Sequence, residues 1–245
     1  MKGKRIVQGG ILAAGEGSRL RRAGWTMPKP LVPVAGAPLI ERVIRNFIAV
    51  DIASTVIIVN EQEQDCVEWV RSRFPDLHLR FIVKTTRSSL ESFFEVARLL
   101  DPGRALISTV DAWCPEGDFV KFVEAAGQFP PEAVVLGVTP LVADERPLWV
   151  SLDEAGRVRR LGGSAGEMVT AGMYLVPEGI ATLSPPPGLG SLREFLAWLV
   201  DQGEPVYGAV IQTVVDVDRA ADVALAEAMA HRATQEARRP PGGVA

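Results

Sequence analysis

Cysteine and histidine are nearly missing from this chain, with two of each among 245 residues. Cys66 and Cys114 are too few and too far apart for a disulfide framework, and with only His78 and His231 beside them a Cys/His metal centre is not supported. Any metal would be held by oxygen. Long apolar runs are missing too: stretches such as 55–59 and 133–138 fall far short of the ~20 residues that cross a bilayer. No membrane span is expected. The basic start, Met1-Lys2-Gly3-Lys4-Arg5, leads into Ile6-Val7-Gln8-Gly9-Gly10 rather than the apolar stretch of a secretory signal, so the expected location is cytoplasmic. With 26 basic against 30 acidic side chains and no basic run, neither a nucleic acid nor a membrane is expected as partner. What the chain does have, 47% hydrophobic and 23% charged residues, excludes disorder, collagen and coiled coil and suits one large globular domain.

Short β-rich runs alternate with amphipathic stretches through the first half, the pattern of βαβ units around a mostly parallel sheet. The expected fold is α/β, a Rossmann-like mixed sheet flanked by helices. Strands are expected at 5–13, 55–60, 79–84, 104–110 and 133–139, with helices at 38–50, 63–73, 88–100 and 116–127 between them. In the third helix Leu90, Phe93, Phe94, Ala97 and Leu100 recur at helical spacing, and Ser88 with Glu91 has capping-box form. After residue 140 the pattern loosens into prolines and glycines with extended pieces at 148–152 and 157–161, read as a small hairpin insertion on the acceptor side. Then come a strand at 168–176, a helix at 192–202, a strand at 206–215 and a helix from about Arg219. The expected domain is 1–230, with 231–245 a flexible tail that frays around 238–243.

The loop that follows the first strand is the most informative segment. In Ile11-Leu12-Ala13-Ala14-Gly15-Glu16-Gly17-Ser18-Arg19-Leu20 an apolar strand runs into small residues and two glycines, which let backbone N–H groups approach an anion. A Walker A loop would end in Gly-Lys-Ser/Thr, and a dinucleotide fingerprint would place a third glycine where Leu20 stands; the loop is neither. Lys29 follows in Pro28-Lys29-Pro30-Leu31, its backbone fixed by a proline on each side.

From Leu12 to Leu39 the chain resembles the signature of sugar-1-phosphate nucleotidyltransferases, the NDP-sugar pyrophosphorylases of the MobA-like NTP transferase superfamily. The resemblance rests on the Gly-x-Gly-x-Arg-Leu loop and the Pro-Lys-Pro-Leu segment at the family's separation. It implies that Leu12, Ala13, Ala14, Gly15, Glu16, Gly17, Ser18 and Arg19 hold an NTP triphosphate and that Lys29 neutralises phosphate charge. Elementary chemistry agrees, because nucleotidyl transfer spreads negative charge over the α-phosphate and the departing pyrophosphate.

Such chemistry needs a magnesium ion held by one or two carboxylates. Asp111 ends the run Ala105–Val110, and Asp216 ends Val210–Val215, where open α/β sheets bind ligands. The resemblance assigns both to the metal, leaving Arg19, Lys29 and Asp111 as the catalytic set, while Asp218 reads as the N-cap of the last helix. Thr86, Ser88 and Ser89, in a segment that leaves a strand and opens a helix, are candidates for the base or ribose and equally for a helix cap. Their Ser-Ser-Leu-x-Ser run looks closer to cytidylyltransferases of choline or polyol phosphates than to the Gly-Thr-Ala of sugar enzymes, which leans toward a pyrimidine. Thr170, Ala171 and Gly172 resemble the family's acceptor segment, with Thr in place of Asn. The family's lysine near the hairpin is missing; Arg159 and Arg160 stand there and read as solvated surface residues. Trp25, Trp113 and Trp149 fall in expected loops near the cleft, with packing the default role for each.

The expectation is therefore a magnesium-dependent nucleotidyltransferase whose partners are an NTP and a phosphorylated small molecule, a sugar-1-phosphate or similar phosphomonoester; homo-oligomerisation is left open. The alternatives are a cytidylyltransferase for a choline- or polyol-type alcohol phosphate and a catalytically silent nucleotide-binding module. A dinucleotide-dependent oxidoreductase is disfavoured by Leu20 and the early lysine.

Overall fold

The computed structural model describes residues 6–143 and 146–238. Among these described residues thirteen strands and seven α-helices follow in chain order. The first half contains β1 (Gln8–Ala13), α1 (Ser18–Arg22), β2 (Pro33–Val34), β3 (Ala37–Pro38), α2 (Leu39–Ala49), β4 (Ser54–Val59), α3 (Gln64–Arg73), β5 (His78–Val83) and α4 (Ser89–Ala97). Next are β6 (Ala105–Thr109), β7 (Ala112–Trp113), α5 (Glu116–Ala126), β8 (Val134–Thr139), β9 (Trp149–Leu152) and β10 (Val158–Leu161). The chain continues with β11 (Met168–Val176), α6 (Leu192–Asp201), β12 (Val206–Val210), β13 (Val215–Asp216) and α7 (Ala220–Arg238).

Nine strands form one mixed sheet in the order β10-β9-β11-β6-β1-β4-β5, with β8 beside β11 and β12 beside β8. The β6-β1-β4-β5 half is parallel, whereas β11 runs antiparallel to β6, β8 and β9. This is the expected α/β fold, and the hairpin read from 148–161 is the antiparallel pair β9–β10. Burial on both faces explains why the central strands read as continuous apolar runs. Ile11, Ile57 and Leu106 enter one core with α2, α3, α5 and α7, while Leu12, Ile58 and Ile107 enter the other with α4 and α6. In β1, a Cβ on Gly9 would lie 2.3 Å from the Phe47 ring of α2, and one on Gly10 would lie 2.5 Å from Val96 of α4. The two glycines let a helix close down on each face of the strand that feeds the glycine-containing loop 14–18.

Most element ends fall within about three residues of expectation, and three differences bear on the site and its surroundings. The expected strand 206–215 ends at Val210, and Val215–Asp216 pairs instead with β7, carrying Asp216 opposite Ala112. Helix α3 begins at Gln64, after a 3-10 turn over Glu61–Glu63 that Asn60 caps through its side chain. Helix α7 continues through Arg238, past the residue at which the sequence ends the domain, and the fraying expected beyond it lies outside the described residues. Among the described residues, no helix is long and apolar enough to cross a membrane.

Candidate active site

The carboxyl ends of β1 and β6 are adjacent, so the loop after Ala13 and the turn at Asp111 open onto one cleft beside the point where the sheet turns from parallel to antiparallel. Leu12, Ala13 and Ala14 are buried and offer backbone, whereas Gly15 and Glu16 are exposed. At Gly17 the chain turns left-handed, with φ 60°, and a Cβ there would lie 2.8 Å from Lys29 Cβ. Glycine at this position thus sets the loop directly against the lysine. Ser18 opens α1, whose Arg21 donates to the Glu16 carbonyl and folds the loop back on itself.

Lys29 begins a 3-10 turn whose Leu31 N–H donates to the Pro28 carbonyl at 2.9 Å, and it is only 7% exposed. Its Nζ donates to Asp111 Oδ2 at 2.5 Å and to Asp218 Oδ1, while Arg19 reaches the other oxygen of Asp218 at 2.8 Å. Burial disfavours the Lys29 charge, but the two carboxylates outweigh it and hold the ammonium above its ordinary range. Burial likewise opposes ionisation of Asp111, and Lys29, with the Thr109 hydroxyl, overcomes it and keeps the carboxyl below its usual value. Lysine and aspartate are therefore both charged at neutral pH.

Asp218 is not the N-cap that its sequence position suggests. Asp222, in the first turn of α7, accepts the N–H groups of Asp218 and Arg219 at its Oδ2, at 3.0 and 2.7 Å, while the Asp218 side chain faces the cleft. The Val217 N–H donates to the Asp111 carbonyl at 3.0 Å, which clips the β13 segment onto the Asp111 turn. Asp111, Asp216 and Asp218 can each offer one oxygen, all within 4.8 Å of one another. Three partly exposed carboxylates suit a hard, oxygen-seeking divalent cation. The Asp-x-Asp spacing of 216 and 218 was the signal for the third carboxylate.

A cavity of about 250 Å³ adjoins this cluster, lined by Thr170, Ala171 and Gly172 together with Asp111, Asp216, Asp218 and Arg193. Gly172 has φ 69°, in a stretch of β11 where pairing with β8 shifts register, and a Cβ there would lie 2.6 Å from Thr109 Oγ1. Apolar residues line it as well, among them Leu141, Pro147, Leu148 and Val169. Buried Tyr174 faces the same space; burial, with Asp216 and Asp111, raises its hydroxyl pKa although Arg193 opposes.

The hydroxyls read as base or ribose ligands have structural partners. Ser88 caps α4 by accepting the Glu91 N–H at 3.2 Å, Thr86 bonds Ser92 at 2.6 Å, and Ser89 accepts the Leu192 N–H at 3.0 Å. Ser89 also lines the cavity, where α4 and α6 meet. Arg159 pairs with Asp153 at 2.7 Å and Arg160 donates to the Ala165 carbonyl; the arginine on the cavity is Arg193 of α6, which sequence reasoning missed. Its NH1 donates to the Arg146 carbonyl at 2.6 Å, which aims the side chain across the gap between α6 and the 140s loop. Trp113 is a core residue at 2% exposure, Trp25 packs on the same core, and Trp149 lies in β9.

Residues 9–171 match the family described as MobA-like NTP transferase domain. The chain is 27% identical over 93% of its length to the bifunctional IPC transferase and DIPP synthase of Rubrobacter xylanophilus, of which it spans 52%. It is 28% identical over 70% of its length to the CMP-5'-(3-aminopropyl)phosphonate synthase of Streptomyces rubellomurinus, of which it spans 28%. The chain thus spans about half or less of these relatives. In fold it resembles the inositol-1-phosphate CTP transferase from T. maritima, with TM-score 0.80, 19% identity and coverage of 93% and 96% of the two chains.

Proposed function

The chain belongs to the MobA-like NTP transferase domain family, and from that premise we propose that it transfers CMP from CTP to the phosphate or phosphonate oxygen of a small acceptor, releasing pyrophosphate. The observation that carries this reading is the Lys29 ammonium, buried against the phosphate loop and held between Asp111 and Asp218. CTP as donor is supported by the activities that the names of the relatives describe and by the Ser-Ser-Leu-x-Ser segment. The cavity beside the carboxylates is the place for the acceptor.

The loop backbone from Leu12 to Ser18, with Arg19 and Lys29, binds the triphosphate. Asp111, Asp216 and Asp218 fit a magnesium ion by donor chemistry; bound there, it would neutralise charge on the α-phosphate and pyrophosphate oxygens. Thr170 and the Gly172 turn orient the acceptor, and Arg193 holds its oxyanion at the cavity edge. An acceptor oxygen forms the new bond to the α-phosphorus as the bridging bond to the β-phosphate breaks and pyrophosphate leaves. That oxygen is already an anion, so no general base is required, and positioning with charge neutralisation supplies the rate.

The test is magnesium-dependent pyrophosphate release from each common NTP, crossed with inositol-1-phosphate, sugar-1-phosphates, choline phosphate and aminoalkylphosphonates. Release that needs both CTP and one acceptor supports the reading; NTP binding without release from any pair would make the protein a silent nucleotide-binding module instead.

A further inference from the structure

Glu63 is a buried acid that the transfer chemistry does not use. It ends the 3-10 turn after β4, is 5% exposed, and its Oε2 has no hydrogen-bond partner. A lone carboxylate in such a place opposes folding unless something else requires it. Its neighbours give the reason. The Lys29 backbone N–H, which as the first of its 3-10 turn has no acceptor within the turn, acts on Glu63 to favour its charged form, as do the Arg21 guanidinium and the Lys29 ammonium. These two residues are the loop's anchors: Lys29 packs directly against Gly17, and Arg21 grips the Glu16 carbonyl.

We propose that Glu63 is a positioning residue for the phosphate loop, holding the Lys29 turn and Arg21 from behind and so setting how tightly the loop grips the nucleotide's phosphates. The inference rests on the nucleotidyl-transfer reading. Glu63 touches no reacting atom in it and acts only through the two anchors.

The titratable and charged groups that act on Glu63 or respond to it are Arg21 on α1, Lys29 on its turn and Cys66 on α3. Burial pushes the Glu63 carboxyl up to about 7, with Arg21, Lys29 and the Lys29 N–H drawing it only part of the way back. Burial, and Glu63 itself, raise the Cys66 thiol to about 12, so it stays neutral. The ionised form of Glu63 is the stronger acceptor for the N–H and the better partner for Arg21, so the loop is held more firmly above neutral pH than below it.

One variant should respond in two opposite directions. Glu63→Gln keeps the size and an acceptor oxygen but removes the buried charge. At pH 8 it should raise Tm by about 5 °C or more while weakening binding of magnesium CTP, measured calorimetrically, by about five- to tenfold. Between pH 6 and 8, wild-type CTP affinity should rise relative to that of Glu63→Gln, since only the wild type gains the carboxylate. Glu63→Ala should bind CTP more weakly still, with the KM for the acceptor unchanged in both variants. A lowered Tm with unaltered CTP affinity in Glu63→Gln would make the residue merely structural, and unchanged CTP affinity at every pH would overturn the proposal whatever the Tm does. Wild-type protein that binds no CTP would remove the CTP reading and this inference with it; wild-type binding matched by both variants would remove the inference alone.

Discussion

On the nucleotide side of the cleft four charged side chains, Arg19, Lys29, Asp111 and Asp218, are tied to one another by hydrogen bonds. On the proposed acceptor side one exposed arginine, Arg193, lines a cavity together with the apolar Leu141, Leu148 and Val169. On the proposed reading the first side recognises what every NTP shares, its phosphates, with groups fixed in advance. The second is a cavity whose shape and few polar contacts select one molecule among many. Replacements on the nucleotide side should therefore lower turnover for every substrate pair, and those on the acceptor side should change which pairs work.

The largest effect is expected at Asp111. Asp111→Asn should lower kcat by about a thousandfold or more, because it removes a metal ligand and one of the two partners of a buried ammonium. The fold, checked by circular dichroism, should persist, since Asp218 still pairs Lys29. Turnover within tenfold of wild type would place the chemistry elsewhere.

The buried acid behind the loop comes next. A carboxyl raised from 4.5 to about 7 in the folded chain costs stability as pH rises between those values, because the folded state keeps a proton that the unfolded chain has lost. The gain from Glu63→Gln should thus be absent below about pH 4.5 and full above about pH 7, at most on the order of 3 kcal/mol. Urea unfolding at pH 4.5 and pH 8 measures it. A gain of equal size at both pH values would mean that packing, not the buried charge, is responsible.

Arg193→Ala should raise the acceptor KM about tenfold while leaving the KM for CTP unchanged, the loss of one charge-assisted contact. Equal changes in both constants would break the division between the two sides. The smallest effect belongs to Gly172→Ala, which forces a side chain into a left-handed turn and toward the Thr109 hydroxyl; about 1–2 kcal/mol of stability should be lost, with a raised acceptor KM. Thermal unfolding beside steady-state kinetics would detect both changes, and an unaltered acceptor KM would detach the turn from the acceptor.

The same division explains what the sequence made legible. The phosphate loop, Lys29 and Asp111 are local: a strand, a turn and a strand end, each announced by residues within a few positions. The alternation that predicted the parallel half is local in the same sense. Arg193 was hidden because its place on the cavity comes from α6 packing beside α4, a contact between segments 103 positions apart in which Ser89 accepts the Leu192 N–H. Asp218 was misread for a related reason. An aspartate just before a helix has cap form, but the Asp218 side chain meets Lys29 and Arg19 instead, contacts between segments 189 and 199 positions apart. Glu63 gave no sequence signal, since an acid in a Glu-Gln-Glu turn reads as solvated until burial is known.

The central claim is that the two sides meet to join a nucleotide to an acceptor phosphorus oxygen. The most direct measurement is ³¹P NMR of magnesium CTP with the acceptor that best supports pyrophosphate release, for wild type and Asp111→Asn in parallel. New phosphoanhydride resonances should grow in step with pyrophosphate in the wild type, and neither should appear in the variant. Pyrophosphate appearing with CMP and without the anhydride would contradict the claim, since the acceptor cavity would then receive only water.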